Sequence, residues 1–279
     1  MTVILHCFGE GRMSVAGNNL EKNHILLKQH KSGIVTLTLN RPEQYNALSS
    51  GLLAALQDAL DDIAGDEATK AVIIGARGKA FCAGHDLKEL RSSEDKSFHR
   101  DLFERCSRVM MSINRLPQPV IAGVNGIATA AGCQLVAACD LAVAAASARF
   151  AVSGINVGLF CSTPAVPLSR TVPPKQAMKM LLTGEFVDAE TAGRFGLVND
   201  VVPDADLEKS TRELAEKITA KSRLAVMTGK KMFYKQLEMN MEDAYRFACE
   251  TIVSNMDSSD AREGIDAFVE KRRPEWRDH

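Results

Sequence analysis

The stretch NGIATAAGCQLVAACDLAV, residues 125–143, carries a run of small residues into a short apolar helix. At such a turn-to-helix junction the first backbone N–H groups have no partner within the helix and point outward. Small side chains let a ligand approach those groups closely. The alternative is that the small residues only allow a strand and a helix to pack tightly. Inside this helix Gln134 places an amide, which cannot take up a proton as a carboxylate does.

A second loop of the same kind, GKAFCAGHDLKEL at residues 78–90, follows the apolar stretch KAVIIG. Gly84 precedes His85 and Asp86 there, so a small residue again leads into a helix start. Two such junctions brought together would form an oxyanion hole, in which backbone N–H groups stabilise the negative charge that develops on a thioester carbonyl. For each loop taken alone, tight packing is the favoured explanation, and only the pair indicates a site.

Composition limits the possible functions. The chain has 279 residues, of which 46% are hydrophobic, with 34 basic and 35 acidic residues. This length suits one large domain or two small ones with a sizeable core. The near-zero net charge gives no electrostatic case for a nucleic-acid partner, and no apolar run approaches the ~18 residues that would cross a membrane. The seven cysteines are scattered without metal-ligand spacing, which predicts reduced, buried thiols and no metal site.

Strand and helix patterns alternate through the first half of the chain, as in parallel βαβ units. Strands are predicted within residues 32–42, 70–78, 119–126 and 139–150, and helices within 47–66 and 96–115. Beyond residue 203 the pattern is almost purely helical. We therefore predict an α/β protein with a loosely ordered extension at residues 1–23, a core at 24–203 and a helical C-terminal subdomain at 204–279.

Five segments in sequence order carry a family resemblance: NRPEQYNALS, GKAFCAGHDLKEL, PVIAGVNGIATAAGCQLVAACDLAVA, FAVSGINVGLF and FVEKRRPEW. Together they resemble the successive signatures of the enoyl-CoA hydratase/isomerase (crotonase) superfamily, from about residue 24 to the C-terminus. The resemblance implies a crotonase-like spiral of ββα units with a helical C-terminal trimerisation subdomain, assembled as a homotrimer or a hexamer. It also implies an acyl-CoA thioester as substrate or ligand, with no further cofactor and no metal.

The resemblance implies that the N–H groups of His85 and Ala131 hold the thioester oxygen. Adding water to an enoyl double bond also needs one group that activates water and one that protonates the α-carbon. The family uses two glutamates, whose positions match Gln134 and Gly154 here, so neither carboxylate is present. The binding frame is expected to be intact and the acid–base machinery of a standard hydratase absent. A positive φ at Gly154, which glycine adopts cheaply, would oppose a side chain there.

The resemblance also implies where the CoA moiety binds. Its adenine and pantetheine groups would contact mainly the backbone of two short segments, and a basic residue near the C-terminus would reach the phosphates, in some members from a neighbouring subunit. The matching positions are Asn46, Ala47 and Leu48, then Lys79, Ala80 and Phe81, and finally Lys271. For the two lysines, point-charge attraction to phosphate and a solvated surface position are equally acceptable explanations.

Other residues of the sequence could substitute for the missing acids. His85 is the best candidate, because an imidazole titrates near pH ~6.5; alternatively its ring points to solvent or packs against the CoA. Asp86 stands at a helix start, where a carboxylate commonly caps backbone amides, and Glu89 follows it. Cys133 and Cys161 have no evident base partner and are interpreted as buried thiols.

These features predict an acyl-CoA-binding protein of fatty-acid metabolism that is similar to enoyl-CoA hydratases, a class of lyase, with its standard hydration activity in question. Two alternatives stay open: an enzyme of the same fold with other acyl-CoA chemistry, such as thioester hydrolysis, and a non-catalytic acyl-CoA-binding or scaffold protein. The sequence has no clear targeting signal. The expected compartment is the cytoplasm for a bacterial source and the mitochondrial matrix for a eukaryotic source.

Overall fold

A computed structural model describes residues 24–278, and the extension predicted at residues 1–23 lies outside them. The larger sheet contains β1 (Leu26–Lys31), β2 (Ile34–Leu39), β3 (Ala71–Ala76), β5 (Val120–Val124), β7 (Leu141–Ala145) and β10 (Asp200–Val202). Its order is β1-β2-β3-β5-β7-β10. All neighbours pair in parallel except β1 and β2. The near-continuous apolar runs of β3 and β5 are typical of a parallel sheet covered on both faces.

The antiparallel β1–β2 hairpin was not fully predicted. Its two-residue turn consists of Ser32 and Gly33, with φ values of +54° and +74°, as a type I′ turn requires. The sequence of β1, LLKQHK, has no alternation of apolar and polar residues, and its last four residues are exposed at the edge of the sheet. Only β2 has the sequence pattern of a strand. Its alternate residues Val35, Leu37 and Leu39 are buried, as is Ile34.

A smaller sheet contains β4 (Ala80–Cys82), β6 (Ile127–Thr129), β8 (Arg149–Ala151) and β9 (Val187–Asp188), in that order. The first three strands are parallel, and β9 is antiparallel to β8. The chain repeatedly adds one strand to the larger sheet and the next to the smaller, as β3 then β4, β5 then β6, and β7 then β8. Helices separate these pairs, so the predicted spiral of ββα units is confirmed.

Helices cover the sheets and form the C-terminal region. They are α1 (Ser50–Ala64), α2 (Leu87–Arg91), α3 (Lys96–Arg115), α4 (Ala131–Ala138), α5 (Ser162–Thr171), α6 (Pro174–Thr183), α7 (Ala189–Phe195), α8 (Leu207–Thr219), α9 (Arg223–Gln236), α10 (Met241–Met256) and α11 (Ser259–Val269). The structure confirms α3 at its predicted bounds and α1 with Ser49 as its N-cap. Within residues 24–278, no helix is long and apolar enough to cross a membrane.

Successive residues of a strand point to opposite faces of the sheet, and in the larger sheet both faces are buried. On one face, Val72 and Ile74 of β3 join the main core with α1, α3 and α4. On the other, Ile73 of β3 and Ile121 of β5 pack against Ala215 of α8. Helix α8 therefore covers the second face of the sheet, while α9 and α10 contain no fully buried residue.

A buried ion pair attaches α9 to the core. The Lys230 Nζ atom donates to the Asp140 carboxylate at 2.6 Å and to the carbonyl oxygens of Ile113 and Gln118 at 2.9 and 3.0 Å. The Tyr234 hydroxyl donates to the other Asp140 oxygen at 2.8 Å. Burial raises the pKa of Asp140 and lowers the pKa of Lys230, and their mutual attraction opposes both shifts. The cation also lies at the C-terminal end of α3, where carbonyl groups lack helical partners.

The segment after α11 returns to the core. The Trp276 indole N–H donates to the Ala220 carbonyl at 2.9 Å, and Asp278 pairs with Lys70 at 2.7 Å. The buried Asp260 carboxylate accepts the backbone N–H groups of this tail. These bonds connect the last helix to the start of β3. The predicted domain boundary at residue 203 stays a prediction.

Replacement of Lys230 tests the attachment of α9. Lys230→Ala leaves Asp140 as a buried, unpaired charge, so the free energy of unfolding should fall by about 3–5 kcal/mol. Lys209→Ala, which removes an exposed pair with Glu213 on α8, should cost less than about 1 kcal/mol. Denaturant unfolding of both variants measures the difference. Equal stabilities would show that the pair does not hold α9 to the core.

Candidate active site

The turn at residues 83–86 connects β4 to α2 and reverses the chain at Gly84, whose φ is +93°. The Leu48 N–H donates to the Gly84 carbonyl at 2.7 Å, and the Asp86 N–H donates to the Leu48 carbonyl at 3.3 Å. This parallel bridge uses the residues on either side of His85. Among the described residues, the N–H of His85 itself has no backbone partner.

The turn at residues 129–131 connects β6 to α4. Ala130 has φ +50° and ψ −118°, a conformation that costs a residue with a Cβ atom roughly 1–3 kcal/mol. Its N–H donates to the Ala151 carbonyl, and its own carbonyl accepts the Gln134 N–H, each at 3.0 Å. The N–H of Ala131, in the first turn of α4, has no backbone partner within residues 24–278.

Glycines allow these two turns to touch. A Cβ atom on Gly84 would lie 2.9 Å from the Ala130 Cβ and 3.3 Å from the Ala131 nitrogen. A Cβ atom on Gly132 would overlap the Cys82 carbonyl oxygen. A glycine at each position removes these overlaps and brings the two loops into direct contact. Donation of both N–H groups to a single oxygen stays a prediction.

The His85 residue is partly buried, with its ring edge-on to Phe103 and the ring centres 5.0 Å apart. Both ring nitrogens are shielded from solvent, and neither has a hydrogen-bond partner among the described residues. Burial lowers the pKa of His85. The Leu48 carbonyl, which lies near the ring but outside hydrogen-bond geometry, and the Glu89 carboxylate oppose that effect. The ring is therefore neutral at pH 7. The two nitrogens do not face solvent, and packing of the ring against CoA stays a prediction.

Gln134 lies on α4, three residues after Ala131 and so on the same side of the helix. Only 3% of its surface is exposed. Its side-chain oxygen is buried and has no hydrogen-bond partner in the part of the chain that the structure describes. An amide thus occupies the position where the resemblance places the first glutamate.

Gly154, the position of the second glutamate, lies in the short 3-10 helix Ser153–Val157 and does not have a positive φ. The expected reason for a glycine here is therefore wrong. A Cβ atom would instead lie 2.7 Å from both the Leu159 carbonyl oxygen and the Cys161 sulfur. The Gly154 N–H donates to that sulfur at 3.2 Å. Packing of residues 159–161 excludes a side chain at this position.

The carboxylates near His85 are used structurally. Asp86 caps α2 by accepting the N–H groups of Lys88 and Glu89, and it pairs with Arg41 at 3.1 Å. Burial opposes the ionisation of Asp86, but these hydrogen bonds outweigh it and lower its pKa. Glu89 accepts the N–H of Ser50 at 2.9 Å, at the start of α1. The capping role predicted for Asp86 is confirmed, and Glu89 is held by a similar bond.

The cysteines near the site are protonated thiols. Burial raises the pKa of Cys133 to about 12, and burial also raises the pKa of Cys161, against a smaller opposite effect of the Gly154 N–H. Both thiols are buried, which confirms their interpretation. Cys249 is exposed, contrary to the general expectation, and Cys7 lies outside the described residues. Within residues 24–278, no three His, Cys, Asp or Glu side chains are grouped so as to hold a metal ion.

The two segments expected to contact CoA lie side by side. The buried Asn46 side chain accepts the Arg41 N–H at 2.8 Å and donates to the carbonyl groups of Arg77 and Ala80 at 2.9 and 2.8 Å. This amide joins residues 46–48 to residues 77–80. Lys79 is exposed beside them. Ala47, Leu48, Ala80 and Phe81 are buried, and the contacts of all six residues with CoA stay predictions.

Lys271 follows α11 and is exposed, with φ +57°. Helix α11 contacts α9 and α10, so Lys271 belongs to the C-terminal helical region rather than to the loop that carries Lys79. Its approach to a CoA phosphate stays a prediction.

Two contacts at the site had no signal in the sequence. Phe103 lies on α3 and packs on the His85 ring although it is 18 residues away in the chain. The Thr129 and Ser153 hydroxyls are 2.7 Å apart and join β6 to the segment that contains Gly154. Both depend on how the strands and helices are arranged in space, which no local spacing reports.

Two interleaved sheets and a pair of touching turn-to-helix junctions define an α/β protein of the crotonase type. Residues 29–279 match the family model described as Enoyl-CoA hydratase/isomerase. The chain belongs to that family.

Similar proteins include enoyl-CoA hydratase domain-containing protein 3, mitochondrial, from Homo sapiens, which is 48% identical over 244 residues, covering 88% of this chain and 80% of that protein. The crystal structure of the human protein of that name has a TM-score of 0.89 at 46% identity, covering 91% of this chain and all of that chain. An enoyl-CoA hydratase structure from Mycobacterium smegmatis has a TM-score of 0.90 at 56% identity, covering 91% and 99%.

Gly132→Ala tests the contact between the two turns. The added Cβ atom overlaps the Cys82 carbonyl, so β4 and α4 must separate, and the free energy of unfolding should fall by about 1–3 kcal/mol. Gly65→Ala is the matched control, because Gly65 is exposed and a Cβ atom there meets nothing within 4 Å; it should change stability by less than about 0.5 kcal/mol. Thermal unfolding compares them, and a tolerated Gly132→Ala would refute the close contact.

Proposed function

We propose that this protein binds acyl-CoA thioesters in fatty-acid metabolism and is a poor hydratase of their enoyl forms. The observation that carries the proposal is the contact between the two turns, which brings the unpaired N–H of Ala131 next to the segment bearing the unpaired N–H of His85. Preorganised N–H donors of this kind stabilise an oxygen that gains negative charge, at about 2.7–4 kcal/mol per donor. The family membership supports a thioester as the source of that oxygen.

Weak hydration follows from the two positions that lack an acid. The Gln134 amide can hydrogen-bond to water but cannot accept its proton. Gly154 has no side chain, and the carbonyl of Leu159 and the sulfur of Cys161 occupy the space where one would begin. Each missing acid or base removes a factor of about 10²–10⁴ in rate. Polarisation of the thioester in the oxyanion hole would leave slow residual turnover.

A non-catalytic role is the second candidate, favoured by the same two positions. A chain that keeps the binding turns and lacks both carboxylates could hold an acyl-CoA without converting it, or serve as a scaffold. Saturable binding with no product of any kind would support that role.

The cellular compartment of the protein is proposed from its relatives. Those named as mitochondrial support the mitochondrial matrix if the source is eukaryotic, and the cytoplasm is proposed for a bacterial source.

Crotonyl-CoA distinguishes binding from hydration. Calorimetry should show saturable binding, and loss of the enoyl chromophore should show hydration several orders of magnitude slower than in a hydratase that has both glutamates. Gln134→Glu, which changes only one atom of the amide group, should raise hydration by about 10²-fold or more, whereas Gln29→Glu on the exposed edge strand should not. Gly154→Glu should add nothing unless residues 159–161 move. Fast hydration by the unmodified protein, or no binding, would contradict the proposal.

We further propose that the protein assembles as a homotrimer or hexamer through its C-terminal helices. The exposed apolar side chains there are Phe233, Leu237, Met241, Tyr245, Ile252, Val253, Met256, Ile265, Phe268 and Val269. An apolar surface of this extent on a single chain is typical of an interface. Light scattering at micromolar concentration should give a trimer or a multiple of it, and Phe268→Glu, at a side chain that is 86% exposed, should weaken it. A stable monomer would refute the assembly.

A further inference from the structure

The Arg41 guanidinium connects two segments of the proposed site. Its Nη1 atom donates to the Ala47 carbonyl at 2.5 Å, and its Nη2 atom donates to the Asp86 carboxylate at 3.1 Å. Only 16% of the Arg41 side chain is exposed. The donors of a guanidinium are set in a rigid planar fork, so one group holds both acceptors at fixed positions. Arg41 thereby joins the segment expected to contact CoA to the turn that carries His85.

Two peptide groups continue from the Ala47 carbonyl to the turn at residues 83–86. The Ala47 carbonyl shares a peptide group with the Leu48 N–H, which donates to the Gly84 carbonyl at 2.7 Å. The Gly84 carbonyl in turn shares a peptide group with the unpaired His85 N–H. Both peptide bonds are trans, so the carbonyl and the N–H of each group point in opposite directions. The hydrogen bonds therefore form a chain that begins at the Arg41 cation and ends at the His85 N–H.

A hydrogen-bonded chain of this kind strengthens the donor at its far end. Each bond polarises the peptide group that it meets, and the next bond is strengthened by about 10–30%. The first donor here is a guanidinium, which is always charged and makes stronger hydrogen bonds than a neutral donor. Asp86 accepts from the other arm of the fork and keeps the cation in place. Burial opposes the ionisation of Asp86, but its hydrogen bonds outweigh burial and lower its pKa. The Asp86 carboxylate is therefore ionised at neutral pH.

We propose that Arg41 is a positioning residue for the oxyanion hole: its guanidinium orients and polarises the two peptide groups that end at the His85 N–H. This inference rests on the proposed binding of an acyl-CoA whose thioester oxygen accepts that N–H. A more strongly polarised N–H stabilises an oxygen better as the oxygen gains negative charge. The Ala131 N–H, at the start of α4, lies outside the chain, so only one of the two donors depends on Arg41.

The side chain of Arg41 can be changed without releasing the segment that is expected to contact CoA. The Asn46 side chain donates to the carbonyl groups of Arg77 and Ala80 at 2.9 and 2.8 Å. The backbone N–H of Arg41 donates to the Asn46 Oδ1 atom at 2.8 Å, and the Arg41 carbonyl accepts the Asn46 N–H at 2.9 Å. None of these bonds uses the guanidinium. Loss of the Arg41 cation should therefore weaken the hold on the thioester carbonyl more than the hold on the CoA moiety.

The carbonyl of bound butyryl-CoA reports on the bond from His85. Polarisation weakens the C=O bond and lowers its stretching frequency, which infrared difference spectroscopy measures for butyryl-CoA labelled with carbon-13 at the carbonyl. S-butyl-CoA is the matched ligand, because this thioether keeps the CoA moiety and the alkyl chain but has no carbonyl. The unmodified protein should lower the carbonyl frequency relative to solution. Calorimetry should show tighter binding of butyryl-CoA than of S-butyl-CoA.

Arg41→Met removes the cation and keeps an unbranched side chain. The bound carbonyl frequency should move back toward its value in solution. The affinity ratio of butyryl-CoA to S-butyl-CoA should fall about 3- to 10-fold, as for one impaired hydrogen bond. Arg41→Lys, which can still donate to the Ala47 carbonyl, should give an intermediate frequency. Asp86→Asn retains a cap for α2 but no longer holds the fork, so the frequency should move in the same direction as in Arg41→Met.

Lys70→Met is the matched control, since it removes another partly buried ion pair, with Asp278. It should leave the carbonyl frequency and the affinity ratio unchanged. Thermal unfolding shows which variants fold, and Arg41→Lys and Asp86→Asn decide the outcome if Arg41→Met does not fold. A frequency that stays fully lowered in every folded Arg41 and Asp86 variant overturns this inference and leaves the proposed function standing. Bound butyryl-CoA without a lowered frequency overturns the inference and leaves acyl-CoA binding standing, whereas absence of butyryl-CoA binding overturns both.

Discussion

The approach of Gly132 to the Cys82 carbonyl sets the distance between strand β4 and helix α4 at the site. Strand β4 of the smaller sheet and the first turn of α4 come so close there that no Cβ atom fits between them. The same approach places Gly84 against Ala130 and Ala131. The positions of the unpaired His85 and Ala131 N–H groups depend on this spacing, because both groups lie on backbone that the spacing holds in place. Ala130 takes a strained conformation in the same turn, and the surrounding bonds to Ala151 and Gln134 hold it there.

The sequence was most informative where side-chain periodicity is strong. The run in α3, the apolar strands β3 and β5, and the capping serine of α1 could each be recognised locally, and the ordered motifs indicated the spiral of ββα units. The smaller sheet could not be recognised, because strands of two or three residues such as β4 and β9 are too short to show a period. The helices between residues 162 and 195 were missed as well, and α5 contains a proline inside the helix, which argues against a helix locally.

At the site, the sequence identified the small-residue turns and the two positions without acids, but it could not give the reasons. Gly154 is a glycine because of Leu159 and Cys161, five and seven residues later, and not because of its own φ. The shielding of His85 depends on Phe103 from another helix. The small-residue turns and the absence of both acids are thus visible in linear order, whereas the shielding of the His85 nitrogens and of the Gln134 oxygen is visible only once the chain is folded.

The edge strand β1 has a consequence for how copies of this protein meet. A sheet edge with unpaired backbone groups can add a strand from another molecule, which leads to open-ended aggregation. Here the outer strand ends in Lys28, Gln29, His30 and Lys31, all exposed, and lysines on an edge disfavour such pairing. Strand-by-strand growth is thereby discouraged at this end of the larger sheet. The assembly that we propose would use the apolar helices after residue 222 instead, and its closed symmetry would limit the number of copies.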